Sequence, residues 1–371
     1  MGEKKEIVCK YIGFGLRRDI ALSIAGVTKH QYYYKSLGKR PGRKPTSTTE
    51  KLEDGQKIIK NNSFVIKKIK NIQSDPDTDY GYRKMATALV LLGYLINHKK
   101  VYRLMKESQL LKTKYNRQPK TYARYRIVTP KGPLEVIEMD IKYIWITQAR
   151  RYAFILTIID TFTRAVLHWR VGFSMKSGDV KKAWEQVIID HLQPADILTK
   201  GVHVEIRNDN GPQFGSKIIQ SFFKENYLNQ VFTHPYTPQE NGHVESFHNI
   251  LSKSLGNNNF WDIGQLTQRL TIFYEKYNNV RLHGSIANLP PRLFWEMWDK
   301  GLIIRKEYKN RKVRFYSKIP YYQLSGNESL REVPCLNRAA LDEPSDLHRK
   351  VNGPVTPKQP SVKRSPSVVP C

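Results

Sequence analysis

Three acidic residues that are far apart in the chain lie where secondary structure would expose a carboxylate. Asp140 lies in a segment of alternating apolar and polar residues, Asp209 precedes an Asn-Gly-Pro turn, and Glu245 follows Asn-Gly-His at the start of a periodic apolar segment. Carboxylate oxygens bind hard divalent cations such as Mg²⁺. Two such cations can activate an oxygen that attacks phosphorus and stabilise the oxygen that leaves. Together these acids could support the cutting or joining of phosphodiester bonds.

The segments that carry these acids predict a mixed α/β domain. Alternating and apolar runs predict strands, and periodic runs predict helices. The strands are expected over 136–145, 152–159, 165–171, 202–207 and 230–233, and the helices over 180–191, 214–225 and 244–255. Asp140 then lies inside the first strand, Asp209 just beyond the fourth, and Glu245 near the start of the last helix. The apolar spacing of that helix places Glu245 beside its buried face, alongside His248.

Two further regions have the pattern of a helix-turn-helix. In the first, residues 19–25 form a helix, Gly26 a turn and Thr28 the N-cap of a second helix, which would present Lys29, His30 and Gln31 to DNA. A helical hairpin without DNA contact fits this pattern equally well. The basic, Pro- and Gly-rich segment that follows, with Arg43 and Lys44, predicts a linker or an arm that tracks the DNA backbone.

The second helical pair spans residues 82–92 and 98–108, separated by Gly93 and capped by Asn97. The basic residues here predict phosphate contacts, and tyrosines interleaved after residue 112 predict base stacking, although a solvated linker is the alternative. The candidate contacts are Lys99, Lys100, Arg103, Lys112 and Lys114.

Charge is concentrated on either side of the predicted α/β domain. The 371-residue chain has 62 Lys and Arg against 33 Asp and Glu, a net charge of +29. Residues 1–130 carry +19, residues 131–298 only +2 and residues 299–371 +8. This distribution indicates a nucleic-acid partner for the flanks of a catalytic core.

Composition also excludes several classes of protein. Three scattered cysteines give no disulfide framework or zinc spacing, and no apolar run approaches the roughly 20 residues of a membrane span. The start lacks the apolar segment of a signal peptide. We therefore expect a cytoplasmic, nucleoid-associated protein with no membrane partner.

Three motifs together resemble a known family. The sequences Met-Asp-Ile at 139–141, Asn-Asp-Asn-Gly-Pro-Gln-Phe at 208–214 and Gln-Glu-Asn-Gly-His-Val-Glu-Ser-Phe-His at 239–248 resemble the acidic motifs of integrase-like DDE transposases, with 35 residues between Asp209 and Glu245. Segments 80–105 and 277–283 resemble the flanking motifs of the second-reading-frame proteins of two-frame bacterial insertion sequences. The resemblance covers about residues 18–296.

This resemblance implies a fold, a cofactor and partners. The fold would be a ribonuclease-H-like core with a mixed five-stranded sheet and flanking helices, preceded by small helix-turn-helix regions. Asp140 would bridge two Mg²⁺ ions, for which Mn²⁺ can substitute, while Asp209 and Glu245 each hold one. The substrate would be double-stranded DNA at element ends and at a target, bound by a homo-oligomer assembled on paired ends. A partner from an upstream reading frame is a further expectation.

The family pattern is not matched everywhere. Relatives often carry Lys or Arg seven residues after the catalytic glutamate, but this position is Ser252, and Lys253 is rotated from it by about 100°. Lys253 and His248 are still candidate DNA contacts, as is Tyr236 in the loop before the last helix. Glu138 or Asp160 could supply a fourth metal ligand; the alternatives are a rim charge and a turn residue.

The expected organisation has five parts. They are an N-terminal helix-turn-helix and linker (1–45), a second helical DNA-binding region and linker (46–130), the integrase catalytic core (131–298), a basic C-terminal module (299–339) and a disordered tail (340–371). Residues 306–322 fit either a small β module that binds DNA or a solvated hairpin.

We interpret the whole as a transposase that cleaves element ends and joins the 3′-hydroxyl to target DNA. The alternatives are a catalytically silent, domesticated DNA-binding protein and a ribonuclease-H-like nuclease without strand transfer.

Overall fold

The computed structural model describes residues 2–34, 45–53, 55–78, 80–112, 129–197, 199–233, 241–256, 259–308 and 313–324. These residues form two units, Met1–Ser47 and Thr48–Cys371. In the described residues, no helix combines the length and apolar character needed to cross a lipid bilayer.

The first unit is a group of three helices, α1 (Gly2–Gly13), α2 (Arg18–Ala25) and α3 (Lys29–Tyr33). They bury a small core made of Val8, Ala21, Leu22 and Val27. Gly26 ends α2 with a left-handed φ of 60°, and the Thr28 side chain caps α3. The predicted α2 and α3 are confirmed, whereas α1 was not predicted from the sequence.

The second unit begins with a small sheet and three helices: β1 (Thr48–Glu53), β2 (Gln56–Asn61), α4 (Asn62–Ser74), α5 (Tyr82–Leu91), β3 (Tyr94–Leu95) and α6 (His98–Glu107). The predicted α5 and α6 are confirmed, with Asn97 capping α6. Gly93 between them has a φ of 89°, and a Cβ there would lie 2.6 Å from the carbonyl oxygen of Leu52. Only glycine fits this turn without displacing β1.

The central sheet contains β4 (Val136–Ile146), β5 (Arg151–Asp160), β6 (Val166–Gly172), β7 (Glu205–Asn208) and β8 (Asn229–Phe232). Its order within the described residues is β6-β5-β4-β7-β8. The pairs β4–β5 and β5–β6 are antiparallel, whereas β7 is parallel to both β4 and β8. The prediction of a mixed five-stranded sheet is confirmed.

Helices cover both faces of this sheet. On one face lie α7 (Ser177–Val187), continued by a π-helical turn at Ile188–Leu192, and α8 (Lys217–Glu225), which bury Trp184 and Phe223. On the other lie α9 (Gly242–Leu255) and α10 (Ile263–Asn279), which bury Phe247 and Phe273. Alternation along β4 directs Asp140 to the α9 side of the sheet and Met139 to the α7 side.

The C-terminal part of the described chain is α11 (Pro291–Asp299) and a hairpin of β9 (Ile303–Glu307) and β10 (Val313–Ser317). Phe315 of the hairpin packs on Phe162 and Phe294. The opposite face of the hairpin exposes Lys306 and Arg314, which are paired across the two strands.

The helical region 62–107 is joined to α9 and α10 by a buried group of charged residues. The Asp77 carboxylate accepts hydrogen bonds from Arg269 Nη2 at 2.6 Å and from the hydroxyl of Ser254. Lys276 Nζ lies 2.8 Å from Asp75. Asp77 is 2 % exposed, and Arg269 and Lys276 are each 5 % exposed. Because Ser254 is on α9, this joint connects the helical region directly to the helix that carries Glu245.

The two flanking motifs singled out in the sequence meet beside this joint. Tyr80 Oη donates to the carbonyl oxygen of Val280 at 3.2 Å and accepts from the Leu282 amide at 2.8 Å. Arg281 donates to the carbonyl oxygen of Asp77. The motifs are therefore two halves of one contact between the helical region and the core.

Candidate active site

Asp140 lies on β4, and Asp209 comes immediately after the neighbouring parallel strand β7. In the β4–β7 pair Glu138 lies opposite Arg207, and each aspartate comes two residues later in its own chain. Side chains two residues apart on a strand share a face. The Asp140 side chain is 23 % exposed, and Asp209 Oδ1 accepts a hydrogen bond from the Gly211 amide at 3.0 Å. The sheet thus places two carboxylates side by side.

Helix α9 brings Glu245 to the same place. Its apolar residues Val244 and Phe247 are buried against the sheet, while Glu245 itself is exposed. One turn later, His248 Nδ1 lies 3.3 Å from Asp140 Oδ2. His248 Nε2 is buried and has no hydrogen-bond partner among the described residues. The contact between His248 and Asp140 fixes the helix beside the strand at the level of the acids.

The acids repel one another electrostatically. Burial raises the pKa of Asp209 above its ordinary value, and the charge of Asp140 raises it further, against the hydrogen bond from Gly211. Burial and the charge of Asp140 likewise raise the pKa of Glu245, while His248 lowers it. Asp140 is the neighbour that both other acids share. A cation between them would relieve this repulsion.

The charge of Asp140 acts on both of the other predicted ligands, Asp209 and Glu245. Across the described residues, no three His, Cys, Asp or Glu side chains are arranged closely enough to hold a metal ion. That Asp140, Asp209 and Glu245 hold metal ions together stays a prediction. Mg²⁺ is usually held by one or two carboxylates together with waters and substrate phosphates, so a closed group of three protein ligands is not required.

Glu138 and Asp160, the candidate fourth ligands, are occupied elsewhere. Glu138 is fully buried, and its Oε2 accepts hydrogen bonds from the His243 and Val244 amides at 2.9 and 2.8 Å. Burial raises the pKa of Glu138 to about 7, despite these amides and nearby Arg164. The Asp160 carboxylate accepts hydrogen bonds from the backbone amides of Leu134 and Thr163 and from the Thr163 hydroxyl, so it braces the turn after β5.

The predicted DNA contacts of the first unit lie on the exposed surface of α3. Lys29 Nζ forms an ion pair with Asp19 at 3.1 Å, and His30 stacks on Tyr34 with ring centroids 6.2 Å apart. The Gln31 side-chain oxygen accepts from the Thr28 amide as part of a capping box. The Gln31 side-chain carbonyl therefore stabilises the start of the helix, and its contact with DNA stays a prediction.

The predicted contacts of the second region lie on α6. Lys99 is exposed, and Arg103 Nε is 3.8 Å from Glu107 one turn later. Lys100 Nζ donates to the carbonyl oxygen of Thr48 on β1. The ammonium of Lys100 therefore already has a structural contact, which the sequence did not reveal.

Two predicted contacts from different parts of the chain come together beside α9. Burial lowers the pKa of Lys112, and the nearby charges of Lys253 and Arg281 lower it further. Lys253 is exposed on α9, two turns beyond Glu245. Although Ser252 occupies the position where relatives often carry a cation, a basic group made of Lys112, Lys253 and Arg281 lies on this side of the helix. Arg43, Lys44, Lys114 and Tyr236 lie outside the described residues, as does the loop that carries Tyr236.

Sequence reasoning missed the roles of Glu138 and Asp77. Because Glu138 comes two residues before Asp140, strand alternation predicts that the two share a face of β4, but it does not identify the helix amides as partners of Glu138. Asp77 was part of an acidic turn, 192 residues from Arg269. No local pattern signals a contact over that separation.

Three family models match segments of this sequence. Models described as integrase core domain match residues 130–238 and 226–291, and one described as HTH-like domain matches residues 61–119. Residues 130–291 therefore carry an integrase core domain, and the predicted helix-turn-helix character of the second region is confirmed.

The chain is also similar to proteins of bacterial insertion elements. The chain is 25 % identical over 217 residues to an uncharacterised protein of insertion element IS476 from Xanthomonas euvesicatoria, covering 58 % of this chain and 60 % of that protein. It is 25 % identical over 241 residues to the transposase for insertion sequence element IS904 from Lactococcus lactis, covering 61 % and 91 %. The resemblance to bacterial insertion-sequence transposases with an integrase-like core is confirmed.

More distant similarity extends to viral proteins. The chain is 29 % identical over 110 residues to the Gag-Pol polyprotein of avian reticuloendotheliosis virus, covering 30 % of this chain and 9 % of that protein. The solved catalytic core domain of BIV integrase matches with 18 % identity and a TM-score of 0.33, over 45 % of this chain and 97 % of that one. A TM-score of this size has no bearing on function.

Proposed function

We propose that this chain is a DNA transposase that cleaves phosphodiester bonds at the ends of its element and joins the freed 3′-hydroxyl to target DNA. The observation that carries the proposal is the position of Asp140 in an integrase core domain. It lies between Asp209, which directly follows the adjacent parallel strand, and the helix that bears Glu245 and His248. Asp140 would be the shared ligand of two divalent cations, with Asp209 completing one site and Glu245 the other.

Divalent cations held by these acids would supply the charge that activates the attacking oxygen and stabilises the leaving oxygen. In cleavage, water attacks phosphorus and the 3′-oxygen leaves with a proton. In joining, the new 3′-hydroxyl attacks a target phosphodiester, loses its proton, and the target 3′-oxygen leaves as a hydroxyl. No covalent bond to the enzyme forms, so the side chains act by holding the cations, orienting the reacting groups and neutralising DNA phosphates.

The protein residues have separate tasks in this proposal. Asp140, Asp209 and Glu245 hold the cations, which requires all three to be ionised despite the raised pKa of two of them. His248 holds Asp140 in place through Nδ1. Lys253 and Lys112 neutralise DNA phosphates beside α9. They take the place of the basic side chain that relatives often carry at the position of Ser252.

DNA binding by the helical regions and by the C-terminal hairpin belongs to the same proposal. Lys29 and His30 on α3 and Lys99 on α6 are exposed and would contact DNA. The exposed face of the β9–β10 hairpin would contact the backbone through Lys306 and Arg314. A homo-oligomer on paired DNA ends, an upstream-reading-frame partner and a place at the nucleoid in the cytoplasm are further parts of the proposal.

The test is a nicking and joining assay on DNA that carries the element's own ends, with Mg²⁺ or Mn²⁺. The wild-type chain should nick and join, whereas Asp209→Asn should bind the same DNA and do neither. The matched control is Glu225→Gln, which removes the charge of an exposed acid on α8. This variant should retain both activities. Equal activity of wild type and Asp209→Asn would refute the proposal.

The products separate the proposal from its alternatives. A nuclease without strand transfer would give nicked DNA but no joined product. A silent DNA-binding protein would bind the ends and give neither product with either cation.

A further inference from the structure

Helix α9 is capped by a side chain from another element. Its own N-cap residue, Asn241, forms no side-chain hydrogen bond with the helix. The first amides of the helix, those of His243 and Val244, donate instead to Glu138 Oε2 on β4, at 2.9 and 2.8 Å. These partners are 105 and 106 residues apart in the chain. The start of the helix is therefore tied to the strand rather than to the preceding loop.

The surroundings of Glu138 make this an unusually specific contact. The side chain is fully buried, and its second oxygen, Oε1, is buried with no hydrogen-bond partner among the described residues. Burying a carboxylate oxygen without a partner is unfavourable. The positive end of the helix dipole and the two amides offset this cost. An apolar residue would pack here without the unsatisfied oxygen, but it would not hold the helix.

The contact links the elements that carry the candidate catalytic acids. Glu138 lies two residues from Asp140 on the same face of β4, and Val244 is adjacent to Glu245 in α9. Asp140 and Glu245 are thus connected through Glu138, its two hydrogen bonds to the start of α9, and Val244. Any movement of the first turn of α9 along the strand would change the distance between the two acids.

We infer that Glu138 is a positioning residue: it holds the first turn of α9 so that Glu245 and His248 face Asp140, and it does not bind metal. This inference rests on the proposed function, because the acids matter only if they hold cations together. It predicts that the required property of residue 138 is a hydrogen-bond acceptor of glutamate's length, not a negative charge.

Two substitutions test this requirement. Glu138→Gln keeps an acceptor of the same length, whereas Glu138→Met keeps the volume and removes the acceptor. The matched control is Asp160→Leu, which removes another fully buried carboxylate at the end of β5 whose backbone hydrogen bonds come from Leu134 and Thr163 rather than from α9.

The first measurement is hydrogen exchange at individual amides, made on the full chain without metal or DNA. In Glu138→Met the amides of residues 243–246 should lose about tenfold or more of their protection, because two hydrogen bonds to a charged acceptor are lost. Those of α10 should be unchanged. Glu138→Gln and Asp160→Leu should leave the protection of α9 within about threefold of wild type. Unchanged α9 protection in Glu138→Met would overturn the inference.

The second measurement is the Mn²⁺ concentration that gives half-maximal nicking of element-end DNA. Glu138→Met should require about tenfold more Mn²⁺ with unchanged DNA affinity, and Glu138→Gln should restore the wild-type requirement to within about threefold. If Glu138→Gln is as defective as Asp140→Asn, Glu138 is itself a ligand and the inference is wrong. If the wild-type chain does not nick DNA at all, the proposed function fails, while hydrogen exchange still decides whether Glu138 holds α9.

Discussion

The buried joint between Asp77 and Arg269 gives the sharpest prediction about stability. Asp77→Asn removes one negative charge with little change in volume and leaves Arg269 buried without a full counter-charge. Breaking a buried ion pair by removing one partner costs roughly 3–5 kcal/mol. At about 2–4 °C for each kcal/mol, the unfolding midpoint should fall by roughly 6 to 20 °C.

The measurement is thermal unfolding of the full chain by circular dichroism, with urea unfolding to obtain the free energy. The control is Glu185→Gln, which breaks the exposed pair between Lys181 and Glu185, 3.7 Å apart with side chains 42 % and 46 % exposed. That pair should contribute only about 0.5 kcal/mol. A midpoint for Asp77→Asn no lower than that of the control would refute the reasoning.

A double-mutant cycle checks that the loss arises from this pair. Asp77→Asn combined with Arg269→Met should be less destabilising than the sum of the single variants by about 1–3 kcal/mol, because the uncompensated charge is gone. Additive losses would show that the two side chains stabilise the protein independently.

Three further predictions concern other parts of the second unit. Lys112→Ala with Lys253→Ala should weaken binding to element-end DNA and reduce the slope of log affinity against log salt by about 2, measured by fluorescence anisotropy; an unchanged slope would remove these residues from the DNA contact. Burial, with Arg281 and Lys84 nearby, lowers the pKa of His283 well below 6.5, so its contribution to stability is full above pH 6.5 and is lost as the pH falls below it. Urea unfolding should show that His283→Gln flattens this loss by up to about 1.4 kcal/mol per pH unit between pH 6.5 and 5, and an equal pH dependence in both proteins would contradict the assignment. Gly93→Ala should cost about 1–3 kcal/mol in the same measurement, because its Cβ would meet Leu52; a neutral result would mean that β1 shifts freely.

Much of the fold could be predicted because its signals are local. The Gly26 turn and Thr28 cap predicted α2 and α3, and the spacing of Val244, Phe247 and Leu251 predicted the buried face of α9, as observed. Strand alternation predicted that Glu138 and Asp140 share a face of β4. These patterns depend only on backbone geometry and on the separation of apolar from polar residues.

The rest depends on contacts between distant segments. The sequence singled out the acids, and the family resemblance implied that Asp140 is shared, but the contact between His248 and Asp140 depends on how α9 packs on the sheet. It placed Glu138 on the correct face but not under the amides of α9. It also gave no indication of β1 and β2, whose polar sequences Thr-Thr-Glu-Lys-Leu-Glu and Gln-Lys-Ile-Ile-Lys-Asn form strands by pairing with each other.

The contact between the helical region and α9–α10 also has a consequence for synthesis on the ribosome. Tyr80 and its partner Leu282 are 202 residues apart, and Asp77 and Arg269 are 192 residues apart. At about 5–20 residues per second, the partners follow roughly ten to forty seconds later. During that interval the nascent helical region exposes an acidic, apolar surface that has nothing to bind. Products of interrupted translation that end before α9 would keep this surface exposed, so they should be recognised by chaperones and proteases rather than accumulate as competitors for DNA.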